Sequence, residues 1–407
     1  MQYLLNFTTE ASRAQLAPTE ESSNGQRRTD MKITDVKAMT LKGYKQWNYV
    51  QIETDEGLTG IGEAHPGAGI AEIILQFKNR LIGADPRNIE PLYHRLIGAA
   101  SNRYAMGLSA IGGIETALWD LLGKSLGVPV YQLLGGKYRD RIRLYADVGH
   151  GRGNTPEGWA KRAREGVADG YQAIKFDIDN SANELKQDAV NRELSTAELQ
   201  KMTSLVAAAR EAAGDEIDIS IDCHSLFSVH SAMKLTERLE PFDLMFLEDP
   251  VPNDNVEAMA KVSSATSIPI CTGEFLFRRD GFRELIQTQA CDMLHVDVSG
   301  TGGILEAKKI ADLADLYYMP FAAHNITSPI GMTATAHVCA AVRNFIVMEL
   351  PYHADQVEWR WDLAISNEPL MQDNAFVVPE QPGLGVEINA EVAREHLMPG
   401  SDLFGIS

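Results

Sequence analysis

Ile217-Asp218-Ile219-Ser220-Ile221-Asp222, Leu244-Met245-Phe246-Leu247-Glu248 and Ile268-Pro269-Ile270-Cys271-Thr272-Gly273-Glu274 are short apolar runs that each end on an acid. The three acids are evenly placed, 26 residues from 222 to 248 and 26 again from 248 to 274. A repeat of that length holds one strand, one helix and two loops. Acids at the carboxyl ends of neighbouring parallel strands converge on one mouth of a barrel, the end where barrel enzymes keep their sites. Carboxylates so crowded do not all stay ionised unless a hard cation sits among them, and Mg²⁺ is the usual choice. Asp222, Glu248 and Glu274 are therefore the candidate metal ligands.

Outward from this stretch the same grammar continues. From Arg141 onward, strands are expected to end near Asp147, Asp177, Asp222, Glu248, Glu274, Asp297, His324 and Glu349. The steps to 297, 324 and 349 are 23, 27 and 25 residues, which match the first two. Eight strands with one repeating unit predict a closed barrel over residues 141–359. The one long step, from Asp177 to Asp222, holds a polar segment, Asp179 to Glu198, read as an insertion before the second helix.

Residues 31–140 read differently. Met31 to Val36, Tyr49 to Glu53 and Leu58 to Glu63 alternate as an antiparallel meander. Helical periodicity follows, and the run from Gly107 to Leu126 places Leu108, Ile111, Ile114, Leu118, Leu121 and Leu122 on one face. This is an α+β unit, which residues 360–407 are expected to return to and complete, with Pro379 to Gly385 as loop and turn. Residues 1–30, rich in Ser, Thr, Glu, Gln and Arg, are expected to be a disordered leader, with Met31 able to serve as the natural start.

Composition narrows the class. In 407 residues, 44% are apolar, enough for a large core. A net charge of −19 argues against nucleic acid or an anionic membrane as partner. Cys223, Cys271, Cys291 and Cys339 sit in or beside apolar runs without paired-ligand spacing, so they read as buried thiols of a reducing, cytoplasmic compartment. No apolar stretch approaches membrane-span length.

From Met31 onward the chain resembles the enolase superfamily in its mandelate-racemase-like branch. The markers are Ile174-Lys-Phe-Asp177, Asp222-Cys-His224, Leu247-Glu-Asp-Pro250, Thr272-Gly-Glu274, Asp297 followed by Gly302-Gly303, and Ala322-Ala-His324. Each is a weak pattern alone, and the order and spacing make the set specific. The resemblance implies an α+β capping domain on a modified TIM barrel, (β/α)₇β, usually as a homo-oligomer. It also implies abstraction of a proton α to a carboxylate, with the enediolate held on Mg²⁺ by Asp222, Glu248 and Glu274. His324 then matches the base, Asp297 the acid that orients it, and Glu349 the group that hydrogen-bonds the substrate carboxylate through a shared proton.

Two positions set the reaction class. His224, two residues past Asp222, matches the acid that protonates a departing β-hydroxyl in gluconate- and galactonate-type sugar-acid dehydratases. Strand alternation would point both residues into the mouth. Racemases of this branch carry Lys-x-Lys where this chain has Lys175 and Asp177, so the second base is missing. Lys175 is then expected to be a cation for the substrate carboxylate, held by Asp177. Asp177, His65, Asp147 and Asn325 are candidate substrate contacts, and Trp47, Glu63, Arg103, Tyr104 and His150 are further positions that could shape specificity. The resulting expectation is a Mg²⁺-dependent hydro-lyase acting on a small acid sugar, an aldonate or aldarate, to give a 2-keto-3-deoxy acid. A racemase or epimerase of a related hydroxy acid is the first alternative, and a catalytically silent barrel used as a binding module is the second.

Overall fold

The computed structural model describes residues 31–100, 105–149, 153–186, 188, 190–352 and 355–406. The expected leader at 1–30, and with it Arg103, Tyr104 and His150, lies outside the described residues. β1 (Ile33–Lys42), β2 (Gln46–Thr54) and β3 (Thr59–Ala64) form an antiparallel sheet in that order. The sheet packs on α1 (Ile70–Leu81) and α3 (Ala105–Leu126), and α2 (Ile89–Ala99) packs on α3. The short α4 (Val130–Leu133) follows.

α3 departs from the expected single apolar face. It is buried almost all round from Leu108 to Leu121, because it lies between the capping sheet and the barrel. Two glycines allow the approach. A Cβ on Gly62 would sit 2.2 Å from Gly113 O, and one on Gly112 would sit 2.4 Å from Ser299 O in the barrel. Neither contact tolerates a side chain.

The barrel strands are β4 (Arg141–Asp147), β5 (Ala173–Asp177), β6 (Asp218–Asp222), β7 (Phe246–Glu248), β8 (Ile270–Thr272), β9 (Met293–His295), β10 (Phe321–Ala323) and β11 (Phe345–Pro351). Each pairs in parallel with its sequence neighbour, and β11 closes the barrel on β4 through Glu349 opposite Tyr145. The intervening helices are α5 (Pro156–Ala168), α6 (Thr196–Ala213), α7 (Val229–Leu239), α8 (Val256–Ser263), α9 (Arg278–Gln287), α10 (Ile304–Asp315) and α11 (Pro329–Ala341). This is the expected (β/α)₇β arrangement. Its interior has its own core of Tyr145, Ala173, Phe246, Cys271, Met293, Ala322 and Val347.

Four boundaries are offset by a few residues from the expected positions. The ladders of β8, β9 and β10 stop at Thr272, His295 and Ala323, so Glu274, Asp297 and His324 lie just beyond the strands. At β8 the cause is Gly273, whose φ of 139° leaves the strand conformation. The insertion also ends earlier than Glu198. Ser195 and Glu198 form a reciprocal capping box, which makes Glu198 part of α6.

After β11 the chain serves both parts of the molecule. β12 (Ala364–Ile365) and β13 (Met371–Gln372) precede β14 (Ala375–Val377), which pairs antiparallel with β4 at its amino-terminal end. β15 (Glu387–Ile388) and α12 (Ala390–Glu395) lead back to the capping sheet, where Lys42 N donates to His396 O at 2.8 Å and Met398 N to Thr40 O at 3.0 Å. Trp359 stacks on His396 with ring centroids 3.7 Å apart and meets Trp47 edge-on. Among the described residues, no helix is long and apolar enough to cross a membrane.

Candidate active site at the barrel mouth

Register decides what reaches the mouth. Asp177 pairs with Asp222 and Asp222 with Glu248, so three acids stand side by side at the ends of β5, β6 and β7. Lys175 lies one layer below. Its Nζ donates to Asp222 Oδ2 at 3.0 Å and to Glu248 Oε2 at 2.9 Å, and lies 3.7 Å from Glu349 Oε1. This corrects the expectation that Asp177 holds Lys175. Burial opposes the ammonium charge, but Glu248, Glu349, Tyr145 and Asp222 together raise its pKa well above the ordinary value. Burial would also raise Asp222, yet Lys175 and His224 hold it below the usual carboxylate range. Burial and the Asp222 charge push Glu248 well up.

Glu274 lies on the other side. Its Oε2 is 2.9 Å from His324 Nε2. His324 Nδ1 donates to Asp297 Oδ2 at 2.7 Å, and Asp297 Oδ1 accepts from Ser299 Oγ at 2.7 Å and from Gly300 N at 2.5 Å. The expected pairing of His324 with Asp297 is thus formed, and the carboxylate that orients it is itself pinned. Burial raises Asp297, but His65 and His324 outweigh it and keep it ionised. Burial disfavours a charged His324, and the Glu349 and Glu274 charges reverse that and lift it well above its ordinary value. Glu349 accepts from Asn325 N at 3.1 Å and is held down to about 2 against burial, chiefly by Lys175 and His324. As an ionised acceptor it meets a substrate carboxylate only through a shared proton.

His224 reaches the mouth by a different route from the one the sequence suggests. β6 has ended, and His224 and Ser225 adopt left-handed conformations with φ of 43° and 60°. That turn sets His224 Nδ1 3.2 Å from Asp179 Oδ1 and its Nε2 3.6 Å from Asp222 Oδ2. Burial lowers its pKa, but Asp179 and Asp222 raise it to about 11. The mouth therefore carries two histidine–carboxylate pairs, one just beyond β5 and β6 and one just beyond β9 and β10.

Other candidates fall into distinct roles. Asp147 ends β4 with Oδ1 accepting from Gly149 N at 3.0 Å, and burial and Asp177 raise it well above the usual range. Asn325 is buried, its Oδ1 accepts from Thr327 Oγ1 at 2.5 Å, and its Nδ2 has no partner. His65 Nδ1 lies 3.1 Å from Asp297 Oδ2. Glu63 and Trp47 are scaffold. Glu63 Oε1 accepts from Ser328 N at 2.8 Å and Oε2 from Ser328 Oγ at 2.5 Å and Gly331 N at 2.8 Å, which caps α11. Trp47 is buried and donates its Nε1 to Ile326 O at 3.3 Å.

Sequence reading missed two partners. His295 Nδ1 hydrogen-bonds Glu248 and its Nε2 lies 3.1 Å from Tyr145 Oη. Burial, Lys175 and His324 lower it to about 3, so it stays neutral. Its signal was parity, since it stands two residues before Asp297 and so on the same side of the strand. Asp179, two beyond Asp177, carried the same signal but was assigned to the insertion.

A divalent cation suits these donors. Asp222, Glu248, Asp249, Glu274 and Glu349 are all buried, with Lys175, His224 and His324 as their cationic neighbours. Glu274 Oε1 and Asp249 Oδ2 are buried without a hydrogen-bond partner, an arrangement that is costly unless a positive charge compensates it. Donor atoms of Glu248, Glu274 and His295 lie within 4.8 Å of one another, as do those of Asp177, Asp222 and His224. The expected triad is thus divided between two neighbouring sets that Lys175 bridges.

Comparison with known proteins settles the family. Residues 158–392 match the enolase C-terminal domain-like family, and residues 27–135 match the mandelate racemase / muconate lactonizing enzyme N-terminal domain. The chain belongs to the enolase superfamily. Within it, this member is 40% identical to the D-xylonate dehydratase of Haloferax volcanii over 92% of the chain and 91% of that protein. It is 34% identical to the D-galactonate dehydratase of Xanthomonas euvesicatoria over 89% of the chain and 94% of that protein. A mandelate racemase/muconate lactonizing enzyme-like protein from Rubrobacter xylanophilus superimposes with a TM-score of 0.88 at 39% identity, covering 93% of this chain and all of that one. This enolase-superfamily chain thus resembles sugar-acid dehydratases over most of its length.

Proposed function

We propose that the protein is a Mg²⁺-dependent dehydratase of an aldonate or aldarate, a hydro-lyase that releases a 2-keto-3-deoxy acid. One observation carries this reading. Two histidine–carboxylate pairs, His324 with Asp297 and His224 with Asp179, flank an acid cluster with Lys175 at its base. Elimination of water needs a base for one proton and an acid for the departing hydroxyl, and two separate pairs supply them.

Asp222, Glu248 and Glu274 would hold the metal. When bound, it would neutralise Glu274, one of the acids whose charges raise His324, and would act as a Lewis acid toward the substrate carboxylate. His324, fixed by Asp297, takes the C2 proton. Lys175 supplies further positive charge where negative charge develops on the carboxylate oxygens, the kind of preorganised stabilisation that usually dominates catalysis. His224 gives its proton to the C3 hydroxyl as the C–O bond breaks, and water leaves. The enol that remains tautomerises to the 2-keto acid. Asp177 stands where racemases of this branch carry a second lysine, which weighs against two-base racemisation.

The test is a panel of aldonates and aldarates, including D-xylonate and D-galactonate, incubated with Mg²⁺ and assayed for 2-keto-3-deoxy acid. At least one should be converted. Solvent deuterium at C2 with no keto product from any of them would replace this reading by an epimerase.

A further inference from the structure

Four histidines stand at this mouth, and their ring nitrogens are used unequally. His224 has Asp179 and Asp222, His295 has Glu248 and Tyr145, and His324 has Asp297 and Glu274. His65 has Asp297 on Nδ1, and among the described residues its Nε2 is the one nitrogen of the eight without a protein partner.

The geometry around that nitrogen is specific. Asp297 Oδ2 accepts from both His324 Nδ1 at 2.7 Å and His65 Nδ1 at 3.1 Å. An ionised carboxylate only accepts, so both Nδ1 atoms carry hydrogens. That leaves His65 Nε2 as the ring nitrogen turned to a ligand. The two rings lie side by side, with centroids 6.5 Å apart and planes 29° from parallel. The His65 side chain is 28% exposed, where Asp297 is 2% exposed. It stands just past β3 of the capping domain, so the capping side contributes an oriented hydrogen-bonding nitrogen beside the candidate base.

We propose that His65 is a specificity-determining residue whose Nε2 forms a hydrogen bond with one hydroxyl of the acid-sugar chain. The proposal rests on the dehydratase reading above and extends it to a named substrate contact. A sugar acid differs from simpler carboxylic acids by its row of hydroxyls, and a ring nitrogen held in one orientation selects for a hydroxyl in one place. Because the same Asp297 oxygen serves His324, a hydroxyl held by His65 is also placed relative to the base. The alternative is that His65 only braces Asp297, which Ser299 and Gly300 already do on its other oxygen.

The experiment compares wild type, His65→Ala and His65→Gln on the acid sugar converted best and on each of its monodeoxy analogues, with Mg²⁺ present. Binding is read by calorimetry and turnover by kcat/KM. His65→Ala should lose about tenfold in both on the full substrate, the effect of one neutral hydrogen bond. On one monodeoxy analogue, wild type and variant should be equal. His65→Gln, which can present an amide oxygen, should recover part of the loss. Melting temperature and Mg²⁺ affinity should stay at wild-type values. An unaffected His65→Ala variant, or the same loss on the parent and on every analogue, overturns the assignment and leaves the dehydratase reading intact. Should His65→Ala fail to fold, equal behaviour of wild type and His65→Gln across all analogues overturns it too. A wild-type protein that neither binds nor converts any acid sugar overturns both.

Discussion

Two regions of this molecule bury carboxylates, and they do so in opposite ways. In the seam between capping domain and barrel, Glu115, Glu63 and Asp120 are each met by hydrogen-bond donors. Glu115 on α3 accepts from Ile304 N at 2.8 Å, Leu305 N at 3.0 Å and Trp119 Nε1 at 2.5 Å, and Glu63 caps α11. Asp120 accepts from Ile61 N at 2.9 Å and Leu384 N at 2.8 Å and pairs with Lys124 at 2.8 Å. Glu115 and Glu63 join a capping element to the amino ends of α10 and α11, where backbone N–H groups favour negative charge, and Asp120 joins α3 to β3 and to the returning C-terminal segment. At the mouth, acids face other acids, and two carboxylate oxygens have no partner. Satisfied acids are architecture. Crowded and unsatisfied ones mark chemistry, because their cost in the folded state needs another reason.

The comparison makes opposite predictions for similar substitutions. The largest effect is expected at the mouth. Glu248→Gln should cut dehydration by about 10³-fold or more through loss of electrostatic stabilisation and weaken Mg²⁺ binding, while the metal-free melting temperature holds or rises as one repelled charge disappears. Steady-state rates, metal titration and a thermal scan check this, and full wild-type turnover in excess chelator would remove the metal from the account. Replacing a seam acid should do the reverse. Glu115→Ala strips a partner from two buried N–H groups and the indole, and should destabilise the fold by about 2–4 kcal/mol. Chemical denaturation measures it, and a loss below about 0.5 kcal/mol would show that the seam is held by packing alone.

A smaller effect concerns pH. Burial raises Glu115 to about 8, with the charge of Glu306 adding to it and the donated hydrogen bonds opposing it. The folded state therefore binds a proton more tightly than the unfolded chain, whose glutamate has its ordinary value of 4.5. The resulting stability is fully present below about 4.5 and is lost as pH rises through about 8. Wild type should melt lower at pH 8.5 than at pH 5.5, and Glu115→Gln should flatten that slope. Identical slopes in both proteins would mean that Glu115 does not set it.

The two regions also differ in how far they were legible in the sequence. Regular spacing revealed the barrel and the acids at its mouth, because a repeated strand–helix unit returns the chain to the same end each time. His324 and Asp297 could be paired on the same logic. The seam was not legible. Glu63 and Glu115 act on backbone N–H groups more than 180 residues away in sequence, and nothing local marks such a partner. α3 was misread for a related reason, since a helix buried on two sides by different parts of the chain shows no single stripe. His224 was found but its route was not. A left-handed turn at a histidine leaves no pattern in the sequence and persists only where the surroundings hold it.

The central claim is that the two histidine pairs divide the reaction, with His324 as base and His224 as acid. It is tested most directly by proton NMR of the acid sugar in D₂O with Mg²⁺. The measurement follows C2 exchange and keto-acid formation together in the His324→Asn and His224→Asn variants. His324→Asn should lose both signals. His224→Asn should lose dehydration by about 10²–10⁴-fold, the usual worth of general acid catalysis, and keep measurable C2 exchange as His324 returns deuterium to the same carbon. Exchange retained in His324→Asn and lost in His224→Asn would reverse the roles, and dehydration at wild-type rate in both variants would contradict the account.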